Sequence, residues 1–226
     1  MEHRLIVVEH PGTLAKEAAR FVTGRAHAAI EGHGIFHFAV SGGRTPWEMF
    51  AELTQAELAL DRVALYQVDE RVAPDGDPQR NLTHLRDALG STPAETAEVV
   101  AMPVTAGDLD DAAISYAKRL PERFDLLHLG LGPDGHTASL VPGDPVLDAD
   151  DRLVAVTADA YQGQRRMTLT YPALRRATEL VWLVAGADKR DALAALLDGD
   201  RSIPAGRVDA DCSTVIADAD AVGRRP

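Results

Sequence analysis

The stretch Val181-Trp182-Leu183-Val184-Ala185, within a predicted strand at 179–185, decides the fold class because its apolar side chains follow one another without a polar interruption. Successive side chains of a strand point to opposite faces, so a strand of this composition must be covered on both sides. Further strand-like segments alternate with amphipathic helical segments along the chain. They are residues 5–9, 35–41, 63–69, 99–102, 124–131, 153–157, 167–171 and 214–217. The alternation predicts an α/β fold with a mostly parallel, doubly wound, Rossmann-like sheet and helices on both of its faces.

Length and composition favour a single globular domain over residues 1–226. A hydrophobic content of 46% is too high for intrinsic disorder, and a chain of this length can bury a sizeable core. The single cysteine, Cys212, excludes an intramolecular disulfide and a cysteine-based zinc finger. Apolar runs are too short to span a bilayer, and the charged start does not fit a signal peptide. We therefore expect a cytoplasmic protein without a membrane partner.

The net charge of the chain limits the classes of ligand that it can be expected to bind. The chain carries 35 acidic and 23 basic side chains, for a formal net charge of −12. Nucleic acids and anionic membranes require a basic footprint, so neither is expected as a partner. A small anionic ligand would need local cations that reverse the field in its binding cleft.

The first unusual strand end is Ser41-Gly42-Gly43-Arg44-Thr45-Pro46, after the predicted strand at 35–41. Two glycines allow a tight turn, and Thr45 followed by Pro46 predicts a helix start. A glycine turn leading into a helix N-terminus offers free N–H groups to an anion. The segment lacks the pattern of a P-loop and of a dinucleotide fingerprint, and the alternative is a tight turn without a ligand.

The second strand end, Asp69-Glu70-Arg71, places three charged residues together, and Asn81 follows after a loop. The planar fork of Arg71 suits a phosphate or carboxylate, while the acids can orient it or a substrate hydroxyl. The alternative is a solvated loop with a local ion pair, in which Asn81 caps a helix at 82–89.

The third strand end is the most informative, because the strand at 124–131 runs into Gly130-Leu131-Gly132-Pro133-Asp134-Gly135-His136. Histidine titrates near neutral pH and is the natural general base, and a nearby carboxylate fixes its tautomer. We predict His136 and Asp134 as the catalytic residues. His128 lies among leucines in the middle of the strand and is interpreted as a hydrogen-bonded core histidine.

Two weaker features add cations. Arg165 and Arg166 stand at the entrance to a strand, and Lys189 lies near a predicted helix start, where the helix dipole favours acids rather than bases. A surface lysine paired with a neighbouring aspartate is the alternative for Lys189. The histidines form neither an HxxxH nor an HExxH pair, so no metal site is expected.

Taken in order, these segments resemble the 6-phosphogluconolactonase family, within the glucosamine/galactosamine-6-phosphate isomerase-like superfamily. The resemblance is carried by Ser41-Gly42-Gly43, Thr45-Pro46, Asp69-Glu70-Arg71, Asn81, Gly130, Gly132, the block from Asp134 to Leu140, Pro142, the run from Arg166 to Thr170, Gly186 and Lys189. The related deaminases continue differently after the histidine. Arg80 also departs from the lactonase pattern, which has serine there, and could add a cation to the site.

The resemblance implies an enzyme that hydrolyses 6-phospho-D-glucono-1,5-lactone in the oxidative pentose phosphate pathway, without a metal or organic cofactor. The substrate-binding and phosphate-binding residues would be Ser41, Gly42, Gly43, Arg44, Asp69, Arg71, Asn81, Arg166 and Lys189. The partner is a phosphorylated sugar lactone, and the expected assembly is a monomer or small homo-oligomer. The alternatives are a glucosamine-6-phosphate deaminase/isomerase that uses Asp69 as its acid/base, and a non-catalytic sugar-phosphate sensor.

Overall fold

The computed structural model describes residues 2–90 and 97–223, so residues 1, 91–96 and 224–226 of the predicted domain lie outside the described residues. The strands are β1 (Arg4–Val8), β2 (Phe36–Val40), β3 (Val63–Gln67), β4 (Asp69–Arg71), β5 (Glu98–Val100), β6 (Phe124–Gly130), β7 (Val154–Val156), β8 (Arg166–Leu169), β9 (Ala177–Val184) and β10 (Cys212–Asp218). Seven of them form one sheet in the order β1-β10-β9-β6-β2-β3-β5. Every pairing in this sheet is parallel, which confirms the predicted fold class.

Helices cover both faces of the large sheet. They are α1 (Pro11–His33), α2 (Arg44–Leu53), α3 (Asn81–Leu89), α4 (Leu109–Ala117), α5 (Tyr171–Leu174), α6 (Arg190–Leu197) and α7 (Ala219–Val222). Buried side chains of α1, α2 and α3 belong to one hydrophobic cluster, and those of α4 to α7 belong to another. Among the described residues, no helix is both long and apolar enough to cross a membrane.

The apolar stretch in β9 contributes side chains to both hydrophobic clusters. Val181 and Leu183 pack with α1 to α3, whereas Leu180, Trp182 and Val184 pack on the opposite side. Trp182 is fully buried and donates its indole N–H to Ser213 Oγ at 3.1 Å, which satisfies its polar atom. The uninterrupted apolar run is therefore the consequence of two-sided burial.

The prediction of a single strand over 63–69 was wrong, because the chain leaves the large sheet within this range and enters a second, smaller sheet. The strand β3 ends at Gln67, and β4 pairs antiparallel with β8, which pairs with β7. Val68 connects the sheets: its N–H donates to Val40 O at 3.0 Å, and its carbonyl accepts from Leu169 N at 2.8 Å. The chain changes sheets because both backbone groups of Val68 find partners, one in each sheet.

The winding direction of the large sheet reverses between β2 and β6. From β2 the chain continues outward through β3 and β5, whereas from β6 it continues in the other direction through β9 and β10. Ligands of open α/β sheets bind beyond the carboxyl ends of the strands at such a switch point. The glycine turn after β2 and the Gly130–His136 turn after β6 leave the sheet there.

We expect Leu127→Ala to destabilise the fold by about 2–5 kcal/mol, because truncating a fully buried leucine leaves a cavity in the central strand. Ile114→Ala is the matched control, since Ile114 is 55% exposed on α4. Urea unfolding of both variants measures the difference. A free-energy change of equal size in the two variants would contradict the core assignment.

Candidate active site

A cavity of about 410 Å³ opens at the switch point. Its lining includes Ser41, Gly42, Asp69, Arg71, Asn81, His136, Arg166 and Lys189 from the sequence-predicted set. The structure thus brings together residues from six separate segments of the chain. Gly43 and Asp134 are not part of this lining. Arg44 lies apart from it: its side chain is 81% exposed and its Nε is 3.7 Å from Glu48 Oε1.

The glycine turn contributes a close backbone approach. Helix α2 begins at Arg44, with Gly43 at a φ of 137° as its N-cap, so the predicted start at Pro46 with a Thr45 cap was wrong. Only glycine takes this φ readily, and its placement lets the chain enter the helix earlier. A Cβ on Gly42 would lie 1.9 Å from Asn81 Oδ1, so this position must lack a side chain. Ser41 Oγ is buried and has no hydrogen-bond partner within the described part of the chain.

Asp69 and Arg71 face the cavity from alternate positions of β4. The carboxylate of Asp69 is buried and accepts a hydrogen bond from Ser139 Oγ at 2.7 Å. Arg71 Nη1 donates to Asn81 Oδ1 at 2.7 Å and to Gln79 O at 2.8 Å. Asn81 Nδ2 in turn donates to Asp69 O at 2.9 Å. Asn81 therefore links the two charged residues and holds the Arg71 guanidinium at the cavity wall.

Glu70, between them, is fully buried. Its carboxylate accepts hydrogen bonds from the backbone N–H groups of Asn81 at 2.8 Å and Leu82 at 2.9 Å, the first residues of α3. It also accepts from the N–H of Arg71 at 2.8 Å. An anion at a helix N-terminus is stabilised by the free N–H groups and the helix dipole. Glu70 therefore fastens α3, and with it Asn81, to β4.

Arg80 completes this buried cluster instead of adding a cation to the cavity. Its Nε lies 3.1 Å from Glu70 Oε2, and its Nη1 bonds Asp75 Oδ1 at 2.9 Å and Ala73 O at 3.2 Å. Gln67 Nε2 donates to the same Glu70 oxygen at 2.9 Å. The departure from the family pattern at position 80 is thus accounted for by a buried ion pair.

The turn after β6 presents His136 to the cavity. Gly132 N donates to His136 O at 2.8 Å, and Thr137 Oγ1 donates to Gly130 O at 2.8 Å, which closes the turn. A Cβ on Gly132 would lie 2.0 Å from His136 Nδ1, so the glycine makes room for the imidazole. His136 Nδ1 lies 2.5 Å from Asp134 Oδ1. Its Nε2 has no hydrogen-bond partner among residues 2–90 and 97–223.

The Asp134 carboxylate is held in its charged form. Burial by itself would raise its pKa, but hydrogen bonds from the His136 side chain and backbone N–H outweigh burial and lower it. A charged Asp134 accepts a hydrogen bond from Nδ1–H, which leaves the lone pair on Nε2, the arrangement that a general base requires.

His128 differs from its predicted description. It is fully buried in β6, as expected, but neither ring nitrogen has a hydrogen-bond partner within the described chain. Desolvation lowers its pKa to about 3, so the ring stays neutral. His128 lies on the same face of β6 as Leu126, which packs with α1 and α2, and it is absent from the cavity lining.

Lys189 reaches the cavity from the loop after β9. Gly186 at a φ of 100° turns the chain, and its N–H donates to both carboxylate oxygens of buried Asp218 at 3.1 Å. Lys189 Nζ lies 3.1 Å from Asp188 Oδ2. Lys189 ends a 3-10 turn, Ala187–Lys189, that leads directly into α6, so it lies at the predicted helix start but just before the α-helix itself.

Arg166 is the buried cation of the cavity. It begins β8, its Nη1 lies 4.0 Å from Asp69 Oδ2, and its Nε has no partner in the described residues. Burial lowers its pKa although the nearby Asp69 charge opposes this, and a guanidinium still remains protonated. Arg165, its neighbour at the strand entrance, instead donates to Thr157 O at 3.1 Å. Arg190, next to Lys189, donates to Asp220 O at 2.7 Å.

Sequence reasoning missed Tyr161 and Gln162, which also line the cavity. The signal that could have found them is Gly163, because a glycine between polar residues marks a tight turn. Within residues 2–90 and 97–223, the side chains of histidine, cysteine, aspartate and glutamate form no group of three that could hold a metal ion.

Comparison with known proteins shows which family this chain resembles. A sequence model described as glucosamine-6-phosphate isomerases/6-phosphogluconolactonase matches residues 9–217. The 6-phosphogluconolactonase of Synechocystis sp. is 37% identical over 80% of this chain and 79% of its own. That of Streptomyces coelicolor is 35% identical over 89% and 85%. A crystal structure of a 6-phosphogluconolactonase from Shewanella baltica superposes with a TM-score of 0.88 at 22% identity, covering 96% of this chain and 98% of that one.

The fold, the matched residues and these identities define a sugar-phosphate enzyme: the chain belongs to the glucosamine-6-phosphate isomerase/6-phosphogluconolactonase family. Within that family, the expectation of an enzyme of the 6-phosphogluconolactonase type is confirmed.

We expect Glu70→Gln to destabilise the protein by roughly 3 kcal/mol, because Arg80 would keep its buried charge without this counter-ion. Glu48→Gln is the control, since the Arg44–Glu48 pair is exposed and worth under about 1 kcal/mol. Chemical denaturation measures both variants. If Glu70→Gln unfolds at the wild-type denaturant concentration, Glu70 does not hold α3.

Proposed function

We propose that the chain hydrolyses 6-phospho-D-glucono-1,5-lactone to 6-phospho-D-gluconate, with His136 as the general base. The observation that carries the proposal is the imidazole of His136 in the cavity, hydrogen-bonded to Asp134 through Nδ1 and without a partner for Nε2 in the part of the chain that the structure describes. The 6-phosphogluconolactonases of other organisms, similar over most of the chain, support the substrate class.

The cavity has the charges that a phosphorylated substrate needs. Arg71, Arg166 and Lys189 line it in a protein with a net charge of −12, so they reverse the field locally. The phosphate binds Arg71 and Lys189, assisted by the N–H groups of Gly42 and Gly43 at the start of α2. Asp69 accepts a hydrogen bond from a substrate hydroxyl, and Asn81 keeps Arg71 in place.

The chemical step is water attack on the lactone carbonyl. His136 Nε2 takes a proton from water as the oxygen bonds to C1, giving a tetrahedral intermediate and an imidazolium that Asp134 stabilises. The bond between C1 and the ring oxygen then breaks, and His136 returns the proton to the departing oxygen. The product is a carboxylic acid that ionises in water, and the imidazole is neutral again.

The oxyanion of the intermediate needs a hydrogen-bond donor. Arg166 is suited to this role because its Nε is buried and has no partner within the described chain. Ser41 Oγ is a second buried group without a partner there, and it lines the same cavity. Donors fixed before the substrate binds stabilise developing charge without reorganisation.

We expect His136→Ala to lower kcat at least about 100-fold, because the general base is lost. The assay generates the lactone in situ and subtracts spontaneous hydrolysis. His10→Ala is the control, since the exposed His10 side chain makes no cap hydrogen bond and lies outside the cavity lining. A folded wild type that does not accelerate hydrolysis would refute the lactonase, and ammonia release from glucosamine-6-phosphate would then test the deaminase alternative.

We expect Arg71→Ala mainly to raise KM, by about tenfold or more, because a phosphate contact stabilises the ground state and the transition state alike. Arg123→Ala is the matched control, since Arg123 forms an exposed ion pair with Asp211. Steady-state kinetics of both variants give kcat and KM separately. A fall in kcat at unchanged KM would instead assign Arg71 to the chemical step.

A further inference from the structure

A tight hairpin turn places Tyr161 beside the candidate base. Tyr161 N donates to Gln164 O at 3.0 Å, and Gln164 N donates back to Tyr161 O at 3.4 Å. The two residues between them, Gln162 and Gly163, have φ values of 53° and 85°. Two left-handed residues in succession are the signature of a two-residue hairpin, in which the residues before and after the turn face each other.

The Arg166 side chain, which lines the cavity, contacts both Tyr161 and Gln162 of this turn. Gln162 is one of only two non-glycine residues with positive φ among those described, a conformation that persists where surrounding contacts hold it. Arg166 Nη2 donates to Gln162 Oε1 at 3.3 Å and lies 3.5 Å from Tyr161 O. The guanidinium carbon also lies 5.1 Å from the centroid of the Tyr161 ring. These contacts fix the position of the tyrosine ring.

The Tyr161 ring also contacts the imidazole of His136. The ring centroids of Tyr161 and His136 are 5.3 Å apart at an interplanar angle of 64°, an edge-to-face contact. Within the described residues, the His136 side chain has one hydrogen bond, from Nδ1 to Asp134, and the pair is partly exposed, with 20% of the histidine and 39% of the aspartate side chain accessible. A single hydrogen bond on one edge leaves the imidazole free to tilt unless a second contact supports its ring.

We propose that Tyr161 is a positioning residue for His136: its ring, held by Arg166, supports the imidazole in the orientation that keeps Nδ1 on Asp134 and Nε2 toward the substrate. This role rests on the proposed function, in which His136 is the general base. The direct contact with His136 is made by the ring. Burial and the charge of Asp134 raise the pKa of the Tyr161 hydroxyl, so the test must separate the ring from the hydroxyl. Tyr161 thereby couples the base on the β6 turn to the cation that begins β8.

The test compares Tyr161→Ala with Tyr161→Phe, which keeps the ring. In Tyr161→Ala we expect kcat to fall about tenfold while KM changes less than about threefold, since a misplaced base slows the step more than binding. In Tyr161→Phe we expect kcat within about threefold of wild type. Thermal unfolding verifies that each variant folds, and Tyr161→Leu replaces Tyr161→Ala if the alanine variant does not.

A second readout does not depend on the substrate. The Nδ1 proton of His136, bonded to Asp134, is expected as a far-downfield proton resonance that is missing from His136→Ala. It should persist in Tyr161→Phe and broaden or vanish in Tyr161→Ala as the pair opens to water. If the wild type does not hydrolyse the lactone, the proposed function fails while this resonance still tests the positioning.

Two results would overturn the proposal. An unchanged resonance together with an unchanged kcat in Tyr161→Ala would show that the imidazole needs no support from the ring. Equal losses in Tyr161→Phe and Tyr161→Ala would assign the effect to the hydroxyl instead of the ring.

Discussion

The carboxylate of Glu70 is fully buried, and a buried charge is tolerated only where hydrogen bonds and a counter-ion replace its hydration. Here the N–H groups at the start of α3, the N–H of Arg71 and the guanidinium of Arg80 supply those partners. Because β4 is only three residues long, this cluster determines where its neighbours point. Asp69 and Arg71 can face the cavity because Glu70, between them, is fastened on the opposite side.

Around the cavity, some side chains line the cavity and others hold them in place. On the cavity side, Ser41 Oγ, Arg166 Nε and His136 Nε2 have no hydrogen-bond partner within the described residues. Outside the cavity lining, the carboxylates of Glu70 and Asp218 accept hydrogen bonds from backbone N–H groups. Asp218 fastens the loop that carries Lys189, and Asp134 fastens His136. Support of this kind holds charged side chains in fixed positions before a ligand arrives, which is what an anion site in an acidic protein requires.

Much of the fold was predictable because buried strands have apolar side chains at successive positions, a pattern that is visible in the sequence. The two-sided apolar run in β9 and the glycine turns after β2 and β6 predicted the parallel sheet and the edge at which the cavity opens. The short strand β4 was not predictable, since charged residues rarely indicate a strand. Its pairing with β8 depends on Val68, which sends one backbone hydrogen bond to each sheet.

The sequence by itself determined which residue types stand at the strand ends, and therefore that a histidine, its carboxylate and several cations gather at one edge of the sheet. It could not determine how the side chains divide between cavity and interior. Only the tertiary structure turned Arg44 toward solvent, paired Arg80 with Glu70 and brought Tyr161 against His136. The physical reason is that strand ends follow from local hydrophobic pattern, whereas a side chain's partner is selected among groups distant in the chain by burial and hydrogen bonding.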